Sequence, residues 1–229
     1  MSAAQLELAA SILGPVVEDV VFVGGATIHI WLSEEAAPPA RATVDVDVIC
    51  DVQTLGAYYE LADRLREREL TEVMNESVIC RWRHRGTGLA IDVMPATPDV
   101  LGFSNPWYAL GIQTAVEHGL GTGVVIRAIA PPVVVATKLS AWAGRGRGDV
   151  LRSHDLHDIL VLVNGRPELA NELAEQREEL REYAAAGLTA LLDLPYFDYA
   201  IQDAVRGYGA VAAERAAIVK DRILALIAV

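Results

Sequence analysis

Asp45 and Asp47 stand one residue apart in the apolar run RATVDVDVIC, residues 41–50. On a β-strand alternate side chains point to the same face, so the two carboxylates project together. Side by side they repel each other unless a cation neutralises them. Mg2+ suits the pair, because it takes hard oxygen ligands and bridges to substrate phosphates. Val44, Val46 and Val48 are expected on the opposite, core-facing side. Some twenty residues earlier, Gly24-Gly25 follow the short apolar run DVVFV. Glycines at such a turn let the backbone approach a phosphate closely, and a following helix N-terminus aims N–H groups at it. Asp92, in LAIDVMP, is flanked by Ile91 and Val93. A carboxylate in an apolar strand needs a partner. If its strand lies beside that of Asp45 and Asp47, three acids converge. The third could hold a metal or take the proton from an attacking hydroxyl.

The cations complement these acids. Lys138, one of two lysines in the chain, sits in the apolar stretch VVVATKLSAW. A charge there is either a phosphate contact or a snorkelling surface residue. Arg145 and Arg147 of GRGRGD could bind phosphate or an RNA backbone, or form a solvated loop. Arg81-Trp82-Arg83-His84-Arg85 alternates basic and aromatic residues. Aromatic stacking with arginine grips single-stranded RNA. The alternative is a hairpin with Trp82 in the core and a solvated arginine face. His154 and Asp158 are spaced to chelate on a helix, although second-shell or surface roles are commoner for such histidines. His29 and Trp31 read as packing residues.

Elements of both kinds are needed to place these groups. Residues 4–13 read as a helix, 19–23 as a buried strand, 26–35 as a helix, 36–41 as a loop and 42–50 as a strand. An amphipathic helix spans 53–69. Strands at 77–83 and 89–94 flank HRGTG, a hairpin signal. Another strand is expected at 123–129. Pro131-Pro132 opens a helix to about residue 143. Helices are expected at 153–163, 167–185, 195–206 and 210–227. The fold class is therefore α/β in the α+β sense, a mixed sheet core with flanking helices followed by a helical C-terminal part. The expected domains are residues 1–130 and 131–229, packed around a cleft.

Composition limits the function. The chain has 229 residues, 31 acidic and 19 basic, for a net charge of −12. That argues against a general nucleic-acid binder. Residues 81–152, however, hold eight basic and four acidic side chains. A basic centre in an acidic protein points to one local anionic ligand surface. No apolar run reaches the ~18 residues that a membrane-spanning helix needs. The N-terminus carries acids and no basic region, so it does not read as a signal peptide. Cys50 and Cys80 are too few and too far apart for a disulfide framework or zinc site, and a cytoplasmic location with reduced thiols is expected.

VGGATIHIW, RATVDVDVIC and AIDVMP together resemble the nucleotidyltransferase core of the DNA polymerase β superfamily. The stretch ATKLSAWAGRGRGDVLRSHDLHDILVLVNGR is similar to AbiEii-type nucleotidyltransferases, a group that includes toxins of bacterial toxin–antitoxin systems. The resemblance spans roughly residues 20–165. It implies that Gly24 and Gly25 cradle an NTP triphosphate. Gly25 stands where many relatives have serine, so that contact would fall to backbone N–H groups or to Thr27. It implies that Asp45 and Asp47 hold Mg2+, with Asp92 as the third acid, that Lys138 binds triphosphate and that Asp155 supports the site. The implied activity is transfer of NMP to an acceptor hydroxyl, with RNA (the 3′ end of tRNA) as acceptor and a cognate antitoxin as partner. Alternatives are a small-molecule acceptor such as an antibiotic, a protein hydroxyl, or a non-catalytic nucleotide-binding regulator.

Overall fold

The computed structural model describes residues 2–34, 43–73, 80–145 and 149–229. In chain order the helices are α1 (Ser2–Leu13), α2 (Ile28–Trp31), α3 (Leu55–Glu67), α4 (Pro98–Leu101), α5 (Tyr108–Gln113), α6 (Pro131–Gly144), α7 (His154–Gly165), α8 (Leu169–Ala174), α9 (Glu178–Leu192), α10 (Phe197–Ala204) and α11 (Ala212–Ile227). The strands are β1 (Val20–Val23), β2 (Asp45–Cys50), β3 (Leu70–Glu72), β4 (Arg81–His84), β5 (Ala90–Pro95), β6 (Val116–Gly119) and β7 (Val125–Ala128). Two compact units result: Met1–Ile30 with Arg41–Ala130, and Trp31–Ala40 with Pro131–Val229.

The first unit is built on a seven-stranded sheet in the order β3-β4-β5-β2-β1-β7-β6. It is mixed: β2 runs parallel to β5 and β1 parallel to β7, while the other neighbours are antiparallel. Period-two alternation divides β2, β4 and β5 into two faces. Val46, Val48, Trp82, Ile91 and Val93 are buried on one. Arg81, Asp45, Asp47 and Asp92 share the other by register. Val44 departs from the expected core-facing set and is 84% exposed, because pairing with β5 begins only at Asp45. Helix α3 starts at Thr54, whose hydroxyl accepts from the Ala57 N–H at 3.2 Å, the usual N-cap contact. It buries Tyr58, Leu61, Ala62 and Leu65.

Among the described residues, the regular elements of the second unit are all helices. Most residues of α6 and α7 are buried, as their apolar sequences require. Ser153 caps α7 by accepting from the Leu156 N–H. Gly187 on α9 lets α6 come close: a Cβ there would meet Leu139 Cδ1 at 2.7 Å. The segment after α2 is tied down by main chain and charge. Ser33 and Glu34 N–H groups donate to Gly165 O, and Arg166 Nη1 donates to Trp31 O. The Glu34 carboxylate accepts from both Nη atoms of Arg215 at 2.5 Å and from Arg222 at 3.1 Å.

Several expected elements differ. The helix expected over 26–35 is one 3-10 turn, Gly25–Thr27, followed by the single α-helical turn of α2. The helix expected over 167–185 is broken into α8 and α9 around Gln176-Arg177. Strands β3 and β6 and the short helices α4 and α5 were not expected from the sequence. The loop expected at 36–41, the start of the strand expected at 77–83 and Arg147 lie outside the described residues.

Candidate active site

Parallel pairing of β2 with β5 sets Asp47 opposite Asp92, with Asp45 two residues before it on the same face. Asp92 is buried at 5% exposure, whereas Asp45 and Asp47 are half-buried. A fourth charged group completes the row. Arg81 is the register partner of Asp92 across the β4–β5 hairpin. Its Nε donates to Asp92 Oδ1 at 2.8 Å, and its Nη2 donates to Asp92 Oδ2 at 2.8 Å and to Asp45 Oδ2 at 2.6 Å. The acids thus converge as the strand order allows, and they do so around a guanidinium.

The glycine turn borders the same acids. Val23, the last residue of β1, pairs with Asp47, and Gly24 follows with φ +75° and ψ −166°. That conformation is open to glycine and strained for other residues. A Cβ on Gly24 would lie 2.0 Å from Asp47 Oδ2, so the missing side chain is what lets the carboxylate lie against the turn. Thr27 is fully buried and its hydroxyl donates to Gly24 O at 2.9 Å. This hydroxyl closes the turn.

In the helical unit, Lys138 is 9% exposed and lies between two carboxylates. Its ammonium is 2.6 Å from Asp158 Oδ2 and 3.2 Å from Asp155 Oδ1. Asp155 also accepts from Arg145 Nη1 at 3.1 Å. Asp155 and Asp158 are three residues apart on α7, so they share a helix face, and both are buried. Carboxylates at this distance compensate the cost of burying an ammonium. Lys138 is therefore a placed cation and not a snorkelling surface group. His154 is exposed and lines a cavity of about 270 Å³ with Trp142, Arg145 and Arg152. That exposure is in keeping with the commoner surface role, and Asp158 lies against Lys138.

The arginines expected to grip RNA separate into different roles. Arg81 is spent on Asp45 and Asp92, and Trp82 is a core residue at 1% exposure, so this strand end offers no stacking aromatic. Arg83 and Arg85 are exposed, with Arg83 Nη1 donating to Gly88 O. Arg145 is also largely exposed, with a side-chain exposure of 75%. Sequence reasoning missed the Arg81 pairing: counting outward from HRGTG puts Arg81 opposite Ile91, and only with His84 paired to Leu89 around a four-residue turn does Arg81 fall opposite Asp92. Among the described residues no group of three or more His, Cys, Asp or Glu side chains is arranged to hold a metal ion.

Comparison with known proteins agrees with this geometry. The family described as nucleotidyl transferase AbiEii toxin, type IV TA system, matches residues 8–222. No individual curated protein matches the chain. A solved structure of an antigenic nucleotidyltransferase-like protein from Paracoccidioides brasiliensis is similar in fold. Its TM-score is 0.53 at 20% identity, covering 83% of this chain and 90% of that one. A seven-stranded mixed sheet, a glycine turn against an Asp-x-Asp strand and a family match over nearly the whole length agree, and the chain belongs to the AbiEii nucleotidyl transferase toxins, as a nucleotidyltransferase.

Proposed function

We propose that this nucleotidyltransferase moves an NMP from an NTP to a hydroxyl of cellular RNA, at the 3′ end of tRNA, with Mg2+ as cofactor and a cognate antitoxin as its biological counterpart. The observation that carries the reading is the register of Asp47 with Asp92 beside Asp45, which gathers three carboxylates from two strands on one sheet face. The donor set is all hard oxygen, and it already accommodates a cation in the form of the Arg81 guanidinium. Mg2+ fits that chemistry, and Asp45 and Asp47 would hold it, with Asp92 as the third acid. When bound, the ion supplies charge neutralisation at the α-phosphate and at the leaving pyrophosphate.

The protein's own groups do the rest by position and charge, since phosphoryl-type transfer needs little covalent help. The Gly24-Gly25 turn offers backbone N–H groups to phosphate oxygens without a side chain in the way. Lys138 is proposed as a phosphate-binding cation, held in place by Asp155 and Asp158. Asp92 is proposed to orient or deprotonate the attacking hydroxyl. The exposed Arg83, Arg85 and Arg145 are proposed contacts for the RNA backbone, which arginine meets in a planar, two-toothed fashion.

The test is incubation of purified protein with Mg2+, total RNA and each α-³²P-labelled NTP in turn, with Asp47→Ala alongside. Label is expected on a tRNA-sized band, and the variant is expected to lose at least about a hundredfold in rate while remaining folded. Full activity in the variant would sink the assignment of Asp47. Label on no RNA would move the acceptor to a small molecule or a protein hydroxyl.

A further inference from the structure

Two tyrosines stand exposed at the start of α10, where the packing of the helix does not need them. Tyr196 precedes the helix and Tyr199 lies in its first turn, at 67% and 61% exposure. Their ring centroids are 6.2 Å apart, with the planes tilted by 41°. Tyr196 holds φ at +69°, a left-handed conformation that is strained for a residue with a side chain. Burial does not offset that strain, because most of the residue lies in solvent. Tyr199 lines a cavity of about 610 Å³ with Leu151, Gln202, Asp203 and Arg206. Gln202 is exposed there, and its carboxamide carries both donors and an acceptor.

The 149–153 loop connects this groove to placed charge within the same helical unit. Leu151 lines the groove, and its chain neighbour Arg152 lines the smaller cavity with Arg145 and Asp155. Asp155 in turn lies 3.2 Å from the Lys138 ammonium. Arg152 and Arg206 each pair with an aspartate three residues away, Asp149 at 3.8 Å and Asp203 at 3.2 Å. Exposed pairs of that kind are weak, so either guanidinium can turn to a phosphate. Across the two linings Arg145, Arg152 and Arg206 are matched by Asp149, Asp155 and Asp203. The track is thus near neutral, and its distinguishing features are exposed rings and single placed cations.

We infer that this groove receives the unpaired end of a single-stranded RNA, with a base stacked on Tyr199 beside Gln202 and backbone phosphates on Arg152 and Arg206. The inference rests on the RNA-transfer reading above and gives that acceptor a subsite. Rings and a carboxamide read the face and edge of an unstacked base, which a paired duplex does not present. A near-neutral lining suits a short unpaired end, which brings few phosphates to a protein of net charge −12. The arginines then set the register of the strand, and the tyrosine selects for an exposed base.

Fluorescence anisotropy on the full chain tests this, with a short labelled single-stranded RNA ending in CCA and the same RNA annealed to its complement. Tyr199→Ala is expected to weaken single-strand binding about tenfold, as loss of one stacked base does, and Tyr199→Phe to stay within about twofold of wild type. The duplex is expected to bind weakly and to ignore both substitutions. The salt dependence is expected to be shallow, a log–log slope of about −1.4 for two phosphates. In the labelled-NTP assay, Tyr199→Ala should raise KM for tRNA and leave KM for NTP unchanged, a split that a general loss of fold does not produce. Unchanged binding by Tyr199→Ala, or a duplex bound as tightly as the single strand, overturns the inference and leaves the transfer reading standing. A wild-type dimer that Tyr199→Ala turns into a monomer in light scattering gives the groove to a second copy of the chain and overturns it too. Label on no RNA, together with no RNA binding by wild type, removes the RNA reading along with the inference.

Discussion

A Cβ added at Gly24 would collide with the Asp47 carboxylate at 2.0 Å, and the φ of +75° at this residue already disfavours any side chain. Gly24→Ala is therefore expected to cost about 1–3 kcal/mol in stability, the range for a residue held in a strained backbone conformation. It should also push Asp47 out of its place. Urea denaturation checks the first effect, and a nucleotidyl-transfer assay below the melting transition checks the second. An unchanged urea midpoint would mean that the turn relaxes. Lys138 poses a different problem. Replacing it by methionine keeps the apolar stem and removes the charge between Asp155 and Asp158. Stripping one partner from a buried pair costs about 3–5 kcal/mol, because the carboxylates are left uncompensated. Lys138→Met is expected to lose stability in that range and to bind NTP more weakly. If nucleotide affinity by direct titration is unchanged while stability falls, Lys138 is a strut and not a ligand. The residue identities at these positions were legible in the sequence, because charges in apolar runs are conspicuous. Their partners were not. Arg81 was read as an RNA contact, and only the hairpin register turns it inward onto Asp92.

Secondary structure was legible where it was long and periodic. Helix α3, strand β2 and the β4–β5 hairpin announce themselves by moment, alternation and turn residues. Short elements carry too few residues to show a period. Strand β3 is three residues and follows directly on a helix end. Strand β6 is an edge strand whose VEHG sequence has no apolar alternation, because it is mostly exposed. The α8–α9 break falls at Gln176-Arg177, where neither glycine nor proline marks it. The early end of α2 at Trp31 has a tertiary cause: the next residues are claimed by Gly165, Arg166, Arg215 and Arg222. The hydrogen bond from Arg215 holds the Glu34 carboxyl below its ordinary value of 4.5; burial pulls the other way and Arg222 adds to the lowering. A carboxyl depressed in the folded state stabilises at pH values above its unfolded pKa, and that contribution is lost as pH falls through the folded value. Urea midpoints of wild type are therefore expected to drop on acidification below about 4.5, and those of Glu34→Gln to start lower and fall less. Parallel curves for the two proteins would contradict this account.

For the whole molecule, the net charge of −12 keeps the footprint for any polyanion small. Within the basic stretch, Arg81 is internal to the acid cluster and Lys138 lies between two aspartates, so the exposed cations are fewer than the sequence count suggests. The antitoxin and the acceptor are written in surfaces, and surface composition alone does not name a partner. The parallel pairing of β2 with β5 has a last consequence, and it concerns the order in which the chain folds. Asp92 and Arg81 are eleven residues apart and meet within one hairpin, whereas Arg81 and Asp45 are thirty-six apart and meet only once β2 has paired in parallel with β5. Hairpins close in microseconds, while non-local strand pairing is slow. The buried acid is thus expected to reach β2 already neutralised, so that the slow step of folding never brings three bare carboxylates together. In pulse-labelled refolding, amides of β4 and β5 should gain protection before those of β2, and the reverse order would show that the acids meet first and the arginine closes over them.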